Sequence, residues 1–121
     1  MDEKTRSDLL KLFQGRLNRT MRLYLETCTR CGACVEACHV YASMGQIKYI
    51  AASRHELVRR IYKRYFKVRG MLWPSLQEAR ELDDPSLNEL YDAAYSCTGC
   101  RRCMAYCPFG IDTQMVMSIA K

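Results

Sequence analysis

The chain has 121 residues, 19 Lys and Arg against 13 Asp and Glu, a formal charge of +6, and eight cysteines. That length is one domain with a modest core, and a 49% hydrophobic content excludes wholesale disorder. No run approaches the ~18–20 apolar residues of a membrane-spanning helix, and the polar start Met1 to Asp8 argues against a secretory signal.

In chain order, Leu9, Leu10, Phe13, Leu17 and Met21 recur at helical spacing, so a helix is predicted over 8–21 with Ser7 as N-cap. A cysteine run follows at Cys28, Cys31, Cys34 and Cys38. Its first seven residues are expected as a tight loop, with Gly32 where the backbone approaches a ligand closely. Residues 33–44 read as a helix placing Cys34 and Cys38 on one face, with Gly45 as C-cap.

Fifty-eight residues separate Cys38 from Cys97, and they read as a helical insertion over about 46–95. Within it, 54–69 puts Leu57, Val58, Ile61, Tyr62, Tyr65 and Phe66 on one side and Arg59, Arg60, Lys63, Arg64 and Lys67 on the other. Ser75 to Glu78 matches a capping box opening a short helix to about Leu82. Asp84-Pro85 supplies an N-cap and N1 proline for a helix presenting Leu87, Leu90, Tyr91 and Ala94. The second run, Cys97, Cys100, Cys103 and Cys107, repeats the first at an offset of 69 residues. After a turn at Phe109-Gly110, Asp112 or Thr113 caps a last helix carrying Met115, Val116 and Ile119. That helix is barely two turns long at Lys121, which suggests a fragment of a longer protein or a subunit ending against a partner.

Both runs read C-x2-C-x2-C-x3-C, the two-cluster ferredoxin spacing, in which four thiolates hold each [4Fe–4S] cluster and the fourth cysteine of each run serves the other cluster. This assigns cluster one to Cys28, Cys31, Cys34 and Cys107, and cluster two to Cys97, Cys100, Cys103 and Cys38. Two zinc sites or a disulfide framework fit the triplets and the Cys107-Pro108 ending less well. Two loaded clusters contribute about −4, leaving roughly +2, so the basic composition partly compensates them. Arg30, Arg101 and Arg102 lie inside the runs, where they are candidates for stabilising reduced clusters. His39 is read as a helix residue hydrogen-bonded near a cluster, with a proton site or cluster ligand as its sharper role. The basic residues of 59–67 are read as a solvated face, with docking to an acidic redox partner or to a membrane surface as alternatives. Trp73-Pro74 is either a core element or a partner anchor. No catalytic constellation is apparent, and no nucleic-acid partner is expected.

These runs and their helical spacer resemble the α-helical ferredoxin domain of heterodisulfide reductase iron–sulfur subunits, of the anaerobic glycerol-3-phosphate dehydrogenase C subunit and of succinate dehydrogenase iron–sulfur subunits. Cys38-His39-Val40-Tyr41 and Arg60 to Phe66 are most similar to heterodisulfide-reductase-C-like subunits of anaerobes. The resemblance covers roughly residues 20–120. It implies an all-α fold over residues 1–121, with two cluster-binding helical halves and a helical insertion; the 69-residue repeat suggests that the halves pack with approximate two-fold symmetry. It further implies one-electron relay through two [4Fe–4S] clusters to a flavoprotein, cytochrome b or CCG-domain partner, in the cytoplasm or at the inner face of the membrane through that partner. Many relatives carry CCG repeats for disulfide reduction, and this chain has no Cys-Cys pair, so such chemistry falls to another domain or subunit. The alternatives are the N-terminal cluster-binding fragment of a longer CCG-type reductase and an iron–sulfur redox sensor.

Overall fold

An amphipathic stripe decides the centre of the molecule. Val58, Ile61 and Tyr62 repeat at helical spacing, and burying them requires helices on more than one side. The computed structural model, which describes residues 1–121, meets that demand with eight α-helices and no strand. The elements are α1 (Glu3–Arg16), α2 (Arg19–Thr27), α3 (His39–Met44), a 3-10 turn (Ile47–Tyr49), α4 (Ala51–Phe66), α5 (Val68–Leu72), α6 (Asp84–Tyr95), α7 (Arg102–Tyr106) and α8 (Thr113–Ala120). Helix α4 is the axis and packs on α2, α5, α6 and α8. Met21 and Leu25 from α2, Leu90 and Ala94 from α6, and Val116 and Met117 from α8 close around it in one core. The all-α architecture is as expected.

Several boundaries differ from expectation, each for a local reason. The helix predicted over 8–21 is two helices, broken at Leu17-Asn18. The Asn18 side chain accepts a hydrogen bond from the Met21 N–H at 2.8 Å and starts a new helix, while Ser7 lies inside α1. The helix predicted over 33–44 is a turn at 33–37 followed by α3, with Cys38 as an extended N-cap. Gly45 ends α3 in the left-handed conformation, as expected. Helix α4 stops at Phe66, and α5 folds back so closely that a Cβ on Gly70 would overlap the Lys63 carbonyl.

No helix forms over 75–82. Pro74 to Glu78 is a turn with Glu78 at φ 53°, and its carboxylate takes the Arg30 guanidinium at 2.9 Å instead of closing a capping box. Asp83, not Asp84, caps α6 through the Ser86 N–H at 2.8 Å. Tyr91 is 62% exposed and rests on Tyr95 instead of joining Leu87, Leu90 and Ala94. Asp112 caps α8, accepting from the Met115 N–H at 3.2 Å.

The basic side of α4 is not a solvated face. No residue of α4 is fully exposed, because the segment after α5 returns across it. Lys63 donates to the Gln77 carbonyl, Arg64 pairs with Glu81 and Lys67 with Glu26.

His55 on α4 is 1% exposed and is hydrogen-bonded through Nε2 to the Tyr24 carbonyl at 2.9 Å. Burial, with Arg59 adding to it, lowers its pKa to about 4. Between pH 6.5 and that value the unfolded chain binds the proton and the folded chain does not, so stability falls as pH falls. The expected loss from pH 6.5 to 5 is roughly 1.5 kcal/mol from this residue alone. Urea unfolding across that range, wild type against His55→Gln, checks it. An unchanged pH slope in the variant removes His55 as the cause.

Candidate metal centre

The two cysteine runs share one backbone plan. In the first loop, Arg30 and Gly32 have φ of 59° and 82°. In the second, the equivalent residues Gly99 and Arg101 have φ of 73° and 60°. Each loop thus takes two left-handed steps at the same two places, with glycine at one and arginine at the other, in swapped order. A left-handed arginine is costly, and each is anchored by its side chain. Arg30 bonds Glu78, and Arg101 bonds Gln114 at 3.2 Å and pairs with Asp112 at 3.4 Å. These two arginines are therefore tied to the fold by their partners, although Arg101 also lines the cavity of Cys38, Cys97, Cys100 and Cys103. No backbone N–H of residues 29–33 or 98–101 donates to a carbonyl, so both loops keep donors available for sulfur.

The cysteines occupy distinct places along these loops. Cys28 ends α2, Cys31 is exposed, Cys34 lies in the turn at 33–37, and Cys38 precedes α3. Cys97 follows α6 against the core, Cys100 is exposed, Cys103 lies in α7, and Cys107 ends it. One cavity is lined by Cys38 together with Cys97, Cys100 and Cys103. Burial chiefly raises the pKa of the Cys34 thiol, and the nearby Cys28 and Cys107 raise it further. Cys38 thus lies with the second run, and Cys107 close to the first. The break before α3 makes this division, since a continuous helix would have held Cys34 and Cys38 together. The expectation of one shared face for those two residues is corrected accordingly.

The two groups of thiols adjoin. Burial also raises the pKa of the Cys103 thiol, with Cys34 and Cys97 contributing and a Thr113 hydrogen bond opposing. Helix α4 begins here without a side-chain cap, and the backbone of Ala52, in its first turn, opposes the rise in the Cys34 pKa. The positive end of the longest helix thus points at a thiol. No three His, Cys, Asp or Glu side chains converge as a single ion requires. The spread of thiols around a cavity instead fits a cubane held at its corners. Half-buried thiols with raised pKa values give up protons when such a group is bound.

His39, at the start of α3, lines the same cavity as Cys100. Its Nε2 is 3.2 Å from the Thr98 hydroxyl and its Nδ1 is 3.8 Å from the Cys100 sulfur. This matches the hydrogen-bonded role expected for it. Arg54, Tyr49 and Thr113 also line the cavity; none is read from the sequence as a site residue, Thr113 being named only as a candidate helix cap. Arg54 had a signal, since it lies four residues before Val58 on the apolar stripe, where a cation is out of place.

Residues 24–111 match the 4Fe-4S dicluster domain family. The chain is 44% identical over 100 residues to the Hdr-like menaquinol oxidoreductase iron-sulfur subunit 2 of Archaeoglobus fulgidus, covering 83% of this chain and 18% of that one. It is 40% identical to the Hdr-like menaquinol oxidoreductase iron-sulfur subunit of Archaeoglobus profundus, with the same coverage. It is also 34% identical over 97 residues to one subunit of the dihydromethanophenazine:CoB–CoM heterodisulfide reductase of Methanosarcina acetivorans, covering 80% and 23% of the two chains. The chain thus spans about a fifth of the length of these relatives. No solved structure matches it. No helix is long and apolar enough to cross a membrane.

Proposed function

The chain belongs to the 4Fe-4S dicluster domain family, and we propose that it is the electron-relay module of a heterodisulfide-reductase-like redox complex. Its two [4Fe–4S] clusters each take up and release one electron. The thiols divide between them as Cys28, Cys31, Cys34 and Cys107 for one, and Cys97, Cys100, Cys103 and Cys38 for the other. The cavity shared by Cys38 and the second run carries this reading. Cys34 lies near enough to Cys103 to raise its pKa, while Cys31 and Cys100 are exposed, one on each loop. That arrangement supports entry at one exposed loop and exit at the other. The partner classes are a flavoprotein, a cytochrome b or a CCG-domain protein. Two relatives are named menaquinol oxidoreductase subunits, which makes a quinol-linked partner the first to test.

Anaerobic reconstitution tests the relay. About eight irons per chain and [4Fe–4S] EPR signals on reduction are expected. A plateau near four irons, or no such signals, ends the two-cluster reading. The short coverage of the relatives favours a second reading, in which this module is one segment of a longer reductase chain. A CCG segment encoded downstream in the same frame would support it, and an immediate stop codon would oppose it.

A further inference from the structure

We infer that Arg54 is a built-in counter-charge for the site of Cys38, Cys97, Cys100 and Cys103, and that it holds this site at a higher reduction potential than its twin. Arg54 lines the cavity of those cysteines and is 2% exposed. All its hydrogen bonds go to neutral carbonyls: Tyr49 at 2.8 Å, Ala93 at 3.1 Å and Ser96 at 3.5 Å. It makes no ion pair, although burying an unpaired charge is costly. The Tyr49 oxygen that takes Arg54 Nε is also 3.4 Å from the Cys38 sulfur, so a single atom separates cation from thiol.

The other cations near the cysteines are either paired or exposed to solvent. Lys121, which donates to the Cys97 carbonyl at 3.3 Å, and Arg102 are exposed. Arg59 donates to the Cys28 carbonyl at 2.8 Å but shares Glu56 at 3.6 Å. Arg30 pairs with Glu78 and Glu56, and Arg101 with Asp112. Only the second site therefore faces a buried positive charge with no anion of its own. One-electron reduction adds one negative charge to either site and needs no proton. A buried cation at one site favours that charge there.

The inference rests on the two-cluster reading, and the tests separate the two. The protein is loaded to about eight irons and titrated with dithionite as the electron source, followed by EPR. Cys100→Ser identifies the signal of the second site. In wild type, that signal is expected to be the higher-potential one. Arg54→Gln is expected to lower its reduction constant at least tenfold, about 59 mV for a one-electron couple. The other midpoint stays in place, and Arg54→Lys keeps most of the wild-type value. A fully loaded Arg54→Gln protein with unshifted midpoints, or with both shifted equally, overturns the inference. If that variant does not hold iron, the wild-type order decides, and a lower-potential second site overturns it. Loading of only four irons would instead overturn the two-cluster reading itself.

Discussion

Cys107→Ser is expected to abolish or deform the cluster of the first run and to spare that of the second. Cys107 belongs to the second run by sequence, so a site in which each run served itself would show the reverse. The expectation rests on Cys34, whose thiol is raised by Cys28 and Cys107, and on Cys38, which opens onto the cavity of Cys97, Cys100 and Cys103. Iron should fall from about eight toward about four per chain. Iron counts alone do not say which cluster went, so the spectrum is compared with those of Cys31→Ser and Cys100→Ser. These exposed residues belong to the first and second sites under either scheme. A Cys107→Ser spectrum that matches Cys31→Ser supports crossed ligation, and one that matches Cys100→Ser ends it.

Glu56→Ala is expected to cost roughly 2–3 kcal/mol of stability in the loaded protein. Glu56 is 6% exposed and collects Arg30, Arg59 and Arg60 at 3.8, 3.6 and 3.6 Å. Breaking a buried pair by removing one partner typically costs about 3–5 kcal/mol. The lower figure applies because Arg30 and Arg60 remain partly solvated. The residue also ties elements together. Arg30 belongs to the first cysteine loop, and Arg59 holds the Cys28 carbonyl. The variant should therefore lose iron from the first site sooner under chelator than from the second. Urea unfolding and timed chelation measure both effects. A stability change below about 0.5 kcal/mol would reduce Glu56 to a surface-type pair.

The metal chemistry was legible because cysteine spacing is a local property. Eight thiols in two identical runs fix the donor set without knowledge of the fold. The axis was legible for a similar reason, since Val58, Ile61 and Tyr62 form a stripe within one helix. What escaped were the interruptions. Leu17 and Met21 stay in helical phase with Phe13 across the break, so periodicity hides it, and only the capping bond of Asn18 creates it. The helix through Cys34 and Cys38 failed because Cys38 lines the cavity of the second run while Cys34 lies near Cys28 and Cys107, an arrangement set by residues far along the chain. The Ser75 to Glu78 capping pattern lost Glu78 to Arg30, again a distant partner. The basic side of α4 looked solvated because the covering segment, Trp73 to Asp83, has little periodicity of its own. Arg54 also escaped, although a charge on the apolar stripe, four residues before Val58, was a signal available in the sequence.

The neighbourhood of Cys34 and Cys107 bears on how the protein is made. The whole insertion lies between these two residues, so under the proposed crossed ligation the first site would be incomplete until the second run has left the ribosome. At ~5–20 residues per second, Cys28, Cys31 and Cys34 would then wait roughly 4–15 s for Cys107. During that interval three thiols stand exposed to oxidants and stray metals, with no cage to exclude either. On that ligation, delivery of iron and sulfide to the first site follows synthesis of the second run. The exposure of Cys31 and Cys100 in the finished fold leaves a side open at each site for that delivery.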